Sequence, residues 1–329
     1  MEIVGGNWKT WLGIGLMFPW AIGYSVLPWV AYAVPSWWKL QLVISSPLPV
    51  FLIIYWFLPE CPRWLLTKGR VNEARTILKK AAQINGNTPD DQMNLNAFDA
   101  SNLATNSKDE YQGKKTNLLD LFKTPNMRKN TLIQYFNWFT VAFVYYGLTL
   151  NSDKLIPGNV YINFCVSGLI EFPAYIFCLV VIHFLGRKIP LSLMFLSSFL
   201  ILLVTIGITS PVAKLAVVSL GKFGIICVFA IIYLHAAELF PTVLRNTGLG
   251  SASMFGRVGS MLAPVVGREL HPTATLSIFA SMSMLAGILT LWLPETRGLK
   301  MIDTIEEAES LECTRKLISR PKTQRAPTV

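Results

Sequence analysis

The chain has 329 residues, of which 52% are hydrophobic and 15% are charged, and its mean hydropathy is +0.45. Soluble domains typically carry about 25% charged residues, so this composition argues against a soluble protein. The formal net charge of +10 would suit a nucleic-acid-binding protein, but the basic residues flank apolar segments, and membrane topology explains them without nucleic acid.

The apolar residues are bunched into segments close to the roughly 20 residues that a helix needs to cross about 30 Å of hydrocarbon. A bilayer offers no partners to backbone N–H and C=O groups, so such segments are helical. The prolines at positions 19, 28, 173 and 264 lie inside these segments and are expected to kink them. The sequence predicts an all-α integral membrane protein with about eight transmembrane helices. In chain order the predicted spans are 10–34, 40–58, 131–150, 159–184, 189–209, 214–236, 246–266 and 273–293.

Basic residues concentrate on one set of flanks. Twelve lie between Arg63 and Lys129 and seven between Arg297 and Arg325, whereas the opposite flanks hold four. Because Lys and Arg mark cytoplasmic loops, both termini are predicted to be cytoplasmic. The segment 59–130 is then a cytoplasmic loop. It begins with a predicted amphipathic helix, whose apolar residues are Val71, Ala74, Ile77, Leu78 and Ala81.

Two short patterns recur at nearly the same spacing. The second span ends in Phe57-Leu58-Pro59-Glu60, and the eighth ends in Trp292-Leu293-Pro294-Glu295, 235 positions later. Glu2 with Lys9 precedes the first span, and Glu238 with Arg245 precedes the seventh, 236 positions later. This indicates a six-helix repeat, with four further spans expected ahead of the first span in a 6 + 6 major facilitator arrangement. The predicted regions are 1–58 (the last two helices of the first repeat), 59–130 (the cytoplasmic loop), 131–294 (the second repeat) and 295–329 (a cytoplasmic tail).

Several strings resemble motifs of one family across essentially the whole chain. Residues 59–66, PECPRWLL, resemble the "PESPRWLL" signature of organic cation, carnitine and organic anion transporters, the solute carrier 22 group of the major facilitator superfamily. AELFPT at 237–242, GRK at 186–188, LPETRG at 293–298 and DTIEEAE at 303–309 resemble further motifs of that group. The resemblance implies a bundle of twelve helices, about eight of them present here, and alternating-access transport.

Three ionisable residues lie within predicted spans, namely Glu171, Lys222 and Arg257. A charge at the bilayer centre costs at least about 2.5–3.5 kcal/mol, so these groups should face an aqueous cavity or each other. The alternative is a structural ion pair, and a lysine near a helix end can also extend to the interface. Glu171 lies in a string that resembles the cation and carnitine branches, and Arg257 in one that resembles the carnitine and anion branches. We predict that Glu171 binds an ammonium group, and that Arg257 binds a carboxylate or helps to couple ions.

Aromatic residues complete the predicted substrate site, because aromatic faces attract protonated or quaternary amines. The candidates are Trp138, Tyr145 and Tyr146 on the third span, Tyr32 on the first and Phe229 on the sixth. Packing or a place in the interfacial aromatic belt is the alternative for each ring.

Charged residues at the cytoplasmic helix ends are predicted to form a gate. Ion pairs that latch in one state and separate in the other suit alternating access, although topology and helix capping would explain some of these positions. The candidates are Glu60, Arg63, Arg187, Lys188, Glu238, Arg245, Glu295 and Arg297.

The sequence favours a carrier of small organic cations or zwitterions in the plasma membrane, with Na⁺ or H⁺ as a possible coupling ion and the lipid bilayer as its surroundings. An organic anion carrier is one alternative, and a non-transporting isoform or interaction partner is another. Neither a Walker A loop nor a nucleophile–base pair occurs, which argues against an enzyme. The five cysteines lack paired spacing and only three histidines occur, so no metal or cofactor is predicted.

Overall fold

The computed structural model describes residues 8–57, 59, 60, 62, 65, 70–84, 118–151, 159–241, 244–297 and 309. Within this part of the chain every regular element is helical. A 3-10 helix covers Leu118–Phe122, and the α-helices are α1 (Trp8–Gly15), α2 (Phe18–Ala33), α3 (Trp37–Ser45), α4 (Leu48–Tyr55), α5 (Val71–Ile84), α6 (Pro125–Leu150), α7 (Val160–Leu169), α8 (Glu171–Leu185), α9 (Lys188–Ile206), α10 (Pro211–Leu239), α11 (Arg245–Glu269) and α12 (Pro272–Thr290).

Two of the predicted proline kinks coincide with breaks between helices. A proline lacks the N–H group, and its ring clashes with the carbonyl four residues earlier. Four residues before Pro19 is Gly15, where α1 ends, and four residues before Pro173 is Leu169, where α7 ends. The second break makes Glu171 the first residue of α8. Pro28 and Pro264 lie inside the continuous helices α2 and α11.

Among the described residues, six helical segments are long and apolar enough to cross a membrane, and each matches a predicted span. They cover Trp11–Ala33, Trp37–Tyr55, Val160–Leu185, Lys188–Ile206, Pro211–Leu239 and Pro272–Thr290. The other two predicted spans correspond to α6 and α11, helices of 26 and 25 residues with lower apolar content. The polar side chains of α6 face protein: Asn137 Nδ2 donates to Thr290 Oγ1 at 3.0 Å, and Gln134 Nε2 lies 2.8 Å from His235 Nδ1.

The helices divide into two compact units. The larger unit comprises residues 13–33 and 116–329. Here α6 packs closely on α11 through glycines. A Cβ atom at Gly259 would collide with the Phe139 carbonyl oxygen, and one at Gly256 would stand 3.4 Å from Trp138. This close approach brings the aromatic side chains of α6 next to α11.

The smaller unit comprises residues 1–12 and 34–115 and contains α3, α4 and α5. The predicted amphipathic helix is confirmed as α5, in which Ala74 is buried and Ile77 and Leu78 are half-buried. Arg70, just before α5, pairs with Glu73 at 2.6 Å and with Glu60 at 3.7 Å. Its hydrogen bond lowers the pKa of the Glu73 carboxyl. These groups are exposed, so the pairs contribute little to stability.

Candidate functional site

A cavity of about 300 Å³ lies within the larger unit, between α2, α6, α8, α10 and α11. This volume is at the lower end of the range for small-molecule sites. Of the eight predicted substrate residues, five line the cavity: Trp138, Tyr145, Tyr146, Phe229 and Arg257. The other lining residues are Leu16, Met17, Trp20, Ala142, Tyr175, Ile226, Tyr233, Ser253 and Gly256.

Aromatic rings from neighbouring helices form the main wall of the cavity. Trp138 and Tyr145 are seven residues apart on α6 and so share a face of that helix. Phe229 and Tyr233, four residues apart on α10, meet them. The Trp138 and Tyr233 ring centroids are 4.4 Å apart, and those of Tyr145 and Phe229 are 5.6 Å apart. Such contacts hold the ring faces in fixed positions around the cavity.

Three aromatic lining residues were not among the predicted set. Tyr175 follows Glu171 by four residues on α8, and Tyr233 follows Phe229 by four on α10. Helical spacing from the predicted members would have identified both. Trp20, on α2, donates a hydrogen bond from Nε1 to the Tyr145 hydroxyl at 3.2 Å. No short-range pattern in the sequence indicates that contact, because the two residues are 125 positions apart.

Glu171 lies behind the cavity wall. It is 0% exposed and does not line the cavity. Its carboxylate accepts hydrogen bonds from the Tyr145 hydroxyl at 2.5 Å and the Tyr175 hydroxyl at 3.0 Å, and both tyrosine rings line the cavity. The first position of α8, created by the break before Pro173, also favours a negative charge. The structure therefore places Glu171 in contact with the cavity through two phenols.

Lys222 is also enclosed, with 2% of its surface exposed. Its Nζ donates to the Tyr24 hydroxyl at 3.0 Å and lies 4.7 Å from the centroid of the Tyr24 ring and 5.0 Å from that of Tyr145. Tyr145 thus presents its ring to the ammonium and its hydroxyl to Glu171. The ammonium is held inside the helix bundle rather than extended towards an interface.

Arg257 and Tyr32 lie in different surroundings, although both were predicted to bind substrate. Arg257, on α11, is exposed and lines the cavity, which gives the cavity wall a positive charge. Tyr32, near the end of α2, is 69% exposed and packs edge-on against Tyr161, with ring centroids 5.6 Å apart. It does not contribute to the lining of the cavity.

Several of the predicted gate residues meet in one place, the helix-end charged cluster of Arg187, Glu238, Glu295 and Thr296. The Arg187 guanidinium donates to both carboxylate oxygens of Glu238, at 3.0 and 3.1 Å, and the Thr296 hydroxyl donates to Glu238 at 2.6 Å. This bidentate arrangement is the strongest form of arginine–carboxylate pairing.

Glu295 caps the start of a helix. Its carboxylate accepts from the backbone N–H groups of Arg187 and Lys188, at 2.9 and 3.0 Å, at the start of α9. Gly186 precedes them with φ of 84°, where a Cβ atom would stand 2.9 Å from the Glu295 carboxylate. Only glycine combines this backbone conformation with so close an approach.

The remaining gate candidates have other contacts. Arg245 Nε donates to the Ala237 carbonyl at 2.7 Å, and Arg297 donates to the Phe184 carbonyl at 2.6 Å, so both satisfy acceptors near helix C-termini. Glu60 pairs with Arg70 in the smaller unit. Arg63 lies outside the described residues.

The described residues do not include a group of three or more His, Cys, Asp and Glu side chains that could hold a metal ion. The cavity lining is made of aromatic rings, four of them tyrosines, with apolar side chains, the Ser253 hydroxyl and the Arg257 guanidinium. Such a lining suits an organic molecule with an amine and an acidic group, because rings attract the amine and the guanidinium attracts the acid.

Comparisons with known proteins identify the family and the fold. The family model of the sugar (and other) transporters matches residues 3–308. Solute carrier family 22 member 3 of Mus musculus is 36% identical over 326 residues, which are 96% of this chain and 57% of that protein. The organic cation transporter protein of Drosophila melanogaster is 36% identical over 317 residues, which are 94% and 57% of the two chains. This chain therefore spans little more than half the length of these relatives.

A solved structure shows the same fold. The proton:xylose symporter XylE, a major facilitator superfamily protein bound to 6-bromo-6-deoxy-D-glucose, superimposes with a TM-score of 0.64 at 19% sequence identity. The match covers 93% of this chain and 66% of that chain. At this identity the likeness establishes the helical architecture and does not extend to the substrate.

Proposed function

We propose that this chain, which belongs to the sugar (and other) transporter family of the major facilitator superfamily and within it to the solute carrier 22 group, carries small zwitterionic amines across a membrane. It is a multi-pass membrane protein and not an enzyme. The proposed substrates have a quaternary or protonated amine and a carboxylate in one molecule, as carnitine has. We place the carrier in the plasma membrane with both termini in the cytoplasm.

The observation that carries the proposal is the pairing of an aromatic wall with Arg257 around one cavity. The faces of Trp138, Tyr145 and Tyr175 would attract an amine, with the Glu171 carboxylate behind the two tyrosines. The Arg257 guanidinium would bind the carboxylate of the same molecule. A substrate with both groups would bind to the aromatic wall and to Arg257. A simple cation would be repelled by Arg257, because the two charges have the same sign.

Alternating access supplies the transport step in this proposal. Related folds rock one helical repeat against the other around a central site. In this chain the Arg187–Glu238 pair would hold the cytoplasmic end in one state and separate in the other. Na⁺ or H⁺ would couple the movement to an electrochemical gradient.

An organic anion is the second candidate substrate, and the placement of charge supports it. The ionisable side chain that lines the cavity with its charge exposed is Arg257, while Glu171 is fully covered by phenols. A dicarboxylate could bind at Arg257 without any contribution from Glu171.

Three ligands distinguish these possibilities when they are tested on the purified protein by ligand-induced thermal shift and in cells by uptake. The ligands are carnitine, tetraethylammonium and a dicarboxylate. We expect carnitine to bind best. The change Arg257→Gln should weaken carnitine by roughly tenfold to a hundredfold, the range for losing one charge-assisted contact, and should spare tetraethylammonium.

Arg268→Gln is the matched control, because Arg268 lies on α11 but outside the cavity lining. This variant should leave the order of affinity for the three ligands unchanged. Preference for the dicarboxylate would replace the zwitterion proposal with the anion carrier. A protein that binds all three without transporting any would support a non-transporting partner role for this chain, and one that binds none would overturn the substrate proposal.

A further inference from the structure

Lys222 is the buried charge that the proposed substrate contacts do not use. Its ammonium is enclosed by the ring and hydroxyl of Tyr24 and by the ring of Tyr145. The Tyr24 hydroxyl interacts further with the side chains of Thr149 and Ser167, so the ammonium ends in a cluster of hydroxyl groups. A buried ammonium is strongly unfavourable unless an opposite charge compensates it.

Glu171 supplies the compensating charge, and Tyr145 joins the two groups. The Tyr145 hydroxyl donates to the carboxylate while its ring faces the ammonium, and the charge that acts on Glu171 from nearby is that of Lys222. Neither Glu171 nor Lys222 lines the cavity, but Tyr145 does. A substrate beside Tyr145 therefore experiences the sum of both charges.

We infer that Lys222 determines the substrate charge that the cavity accepts. With Glu171 compensated from inside the protein, the group of Glu171, Lys222 and Arg257 has one negative and two positive charges. A simple cation would add a positive charge to a site that is already positive, whereas the carboxylate of a zwitterion offsets it at Arg257. Lys222 thus selects by cancelling the attraction of Glu171 for a cation, which leaves the repulsion from Arg257, and specific sites commonly use such a repulsive element. This inference rests on the proposed function and assigns its charge selectivity to one residue.

The test compares variants that change this sum in different ways. Lys222→Met keeps an unbranched side chain but removes the charge, which leaves Glu171 to attract cations. We expect the affinity for tetraethylammonium relative to carnitine to rise by about tenfold, equivalent to roughly 1.4 kcal/mol. Lys222→Arg retains the charge, and Lys214→Met removes a charge from α10 outside the cavity lining, so both should keep the wild-type ratio.

Two further variants keep the inference testable if Lys222→Met fails to fold. The double variant Glu171→Gln with Lys222→Met has the same sum of charges as the wild type, and its ratio should return towards the wild-type value. The Glu171→Gln variant alone makes the site more positive than in the wild type. It should lower the affinity for tetraethylammonium relative to carnitine below the wild-type value. Affinities are measured by thermal shift of the purified full chain, with each variant's elution profile as the check on folding.

The outcomes separate this inference from the proposed function. A wild-type protein that binds neither ligand contradicts the proposed function. A wild-type protein that binds both, with the same ratio in folded Lys222→Met and Glu171→Gln variants, overturns the role of Lys222 alone. A double variant with the raised ratio of Lys222→Met would also overturn it, because the sum of charges would then not be what the cavity detects.

Discussion

The cavity and the helix-end charged cluster surround their carboxylates with different donors. Behind the cavity, Glu171 is fully buried and receives two phenol hydroxyls. In the helix-end charged cluster, Glu238 receives a guanidinium and a threonine hydroxyl, and its side chain is 24% exposed. Glu295 in the same cluster receives four backbone N–H groups.

The two kinds of donor have different consequences. The phenols that bond to Glu171 also line the cavity and separate the carboxylate from it. In the proposed function, a bound substrate would therefore contact these rings and not the carboxylate itself. A direct guanidinium–carboxylate pair at a partly exposed helix end is strong when formed, and water can replace each partner when the pair separates. The Glu171 carboxylate is therefore enclosed by protein groups, whereas both partners of the Arg187–Glu238 pair are partly open to water.

The largest effect should come from removing the Glu171 carboxylate. Glu171→Ala leaves Lys222 as an uncompensated buried charge and two phenol hydroxyls without their acceptor. Breaking a buried pair in this way typically costs about 3–5 kcal/mol. We expect a marked fall in the midpoint of thermal unfolding in detergent.

Glu171→Gln is the matched control for that loss, since its amide oxygen still accepts a hydrogen bond and its volume is nearly the same. It should be clearly more stable than Glu171→Ala. An equal fall in the midpoint of thermal unfolding for the two variants would mean that the negative charge alone stabilises the site. Hydrogen bonding to the tyrosines would then contribute nothing measurable.

A smaller effect is expected at the helix-end charged cluster. A double-mutant cycle of Arg187→Met and Glu238→Gln should give a coupling energy of about 1.5–3 kcal/mol, the range for hydrogen bonds to charged groups. The midpoint of thermal unfolding and the uptake rate are both measured. The uptake rate should change together with the coupling if separation of this pair is part of the transport cycle.

Arg297→Met provides the control for this cycle. Arg297 lies at the same end of the molecule but donates to the Phe184 carbonyl, so its effect should add to that of Glu238→Gln within about 0.5 kcal/mol. Strong coupling of Arg297 to Glu238 would show that the cluster is a network of charges rather than one pair with a capped helix beside it.

Much of the fold was predictable because bilayer insertion imposes length and apolarity on each segment. Six predicted spans satisfy both criteria, and the breaks before Pro19 and Pro173 follow from the missing proline N–H group. The polar helix α6 shows that apolarity alone does not identify every predicted span. Asn137 and Gln134 lower its hydropathy, yet their amide nitrogens bond to Thr290 and His235 inside the protein.

The candidate site was predictable where its residues share a helix and unpredictable where they meet across helices. Trp138 and Tyr145 both line the cavity, as their seven-residue spacing on α6 requires. The contact of Lys222 with Tyr24 joins residues 198 positions apart, and the sequence contains no local pattern for it. For the same reason, the covering of Glu171 by two tyrosines could be recognised only in three dimensions.

The smallest effect is expected at Tyr32, and the geometry of α2 explains why. Trp20 on the same helix lines the cavity, and Tyr32 follows it by 12 residues. At 3.6 residues per turn and 1.5 Å rise, this spacing places Tyr32 about 18 Å further along the helix and roughly a third of a turn around it. Tyr32 therefore points away from the cavity lining and is exposed.

Tyr32→Ala should consequently change the affinity for carnitine by less than about 0.5 kcal/mol, as surface substitutions usually do. Tyr175→Phe is the comparison. It removes one of the two hydrogen bonds to Glu171 and should weaken the binding of carnitine by about 1 kcal/mol. Thermal shift with carnitine measures both. A Tyr32→Ala variant that loses as much affinity as Tyr175→Phe would extend the substrate path along α2 to its end, and the phenols around Glu171 would then be one part of a longer aromatic route.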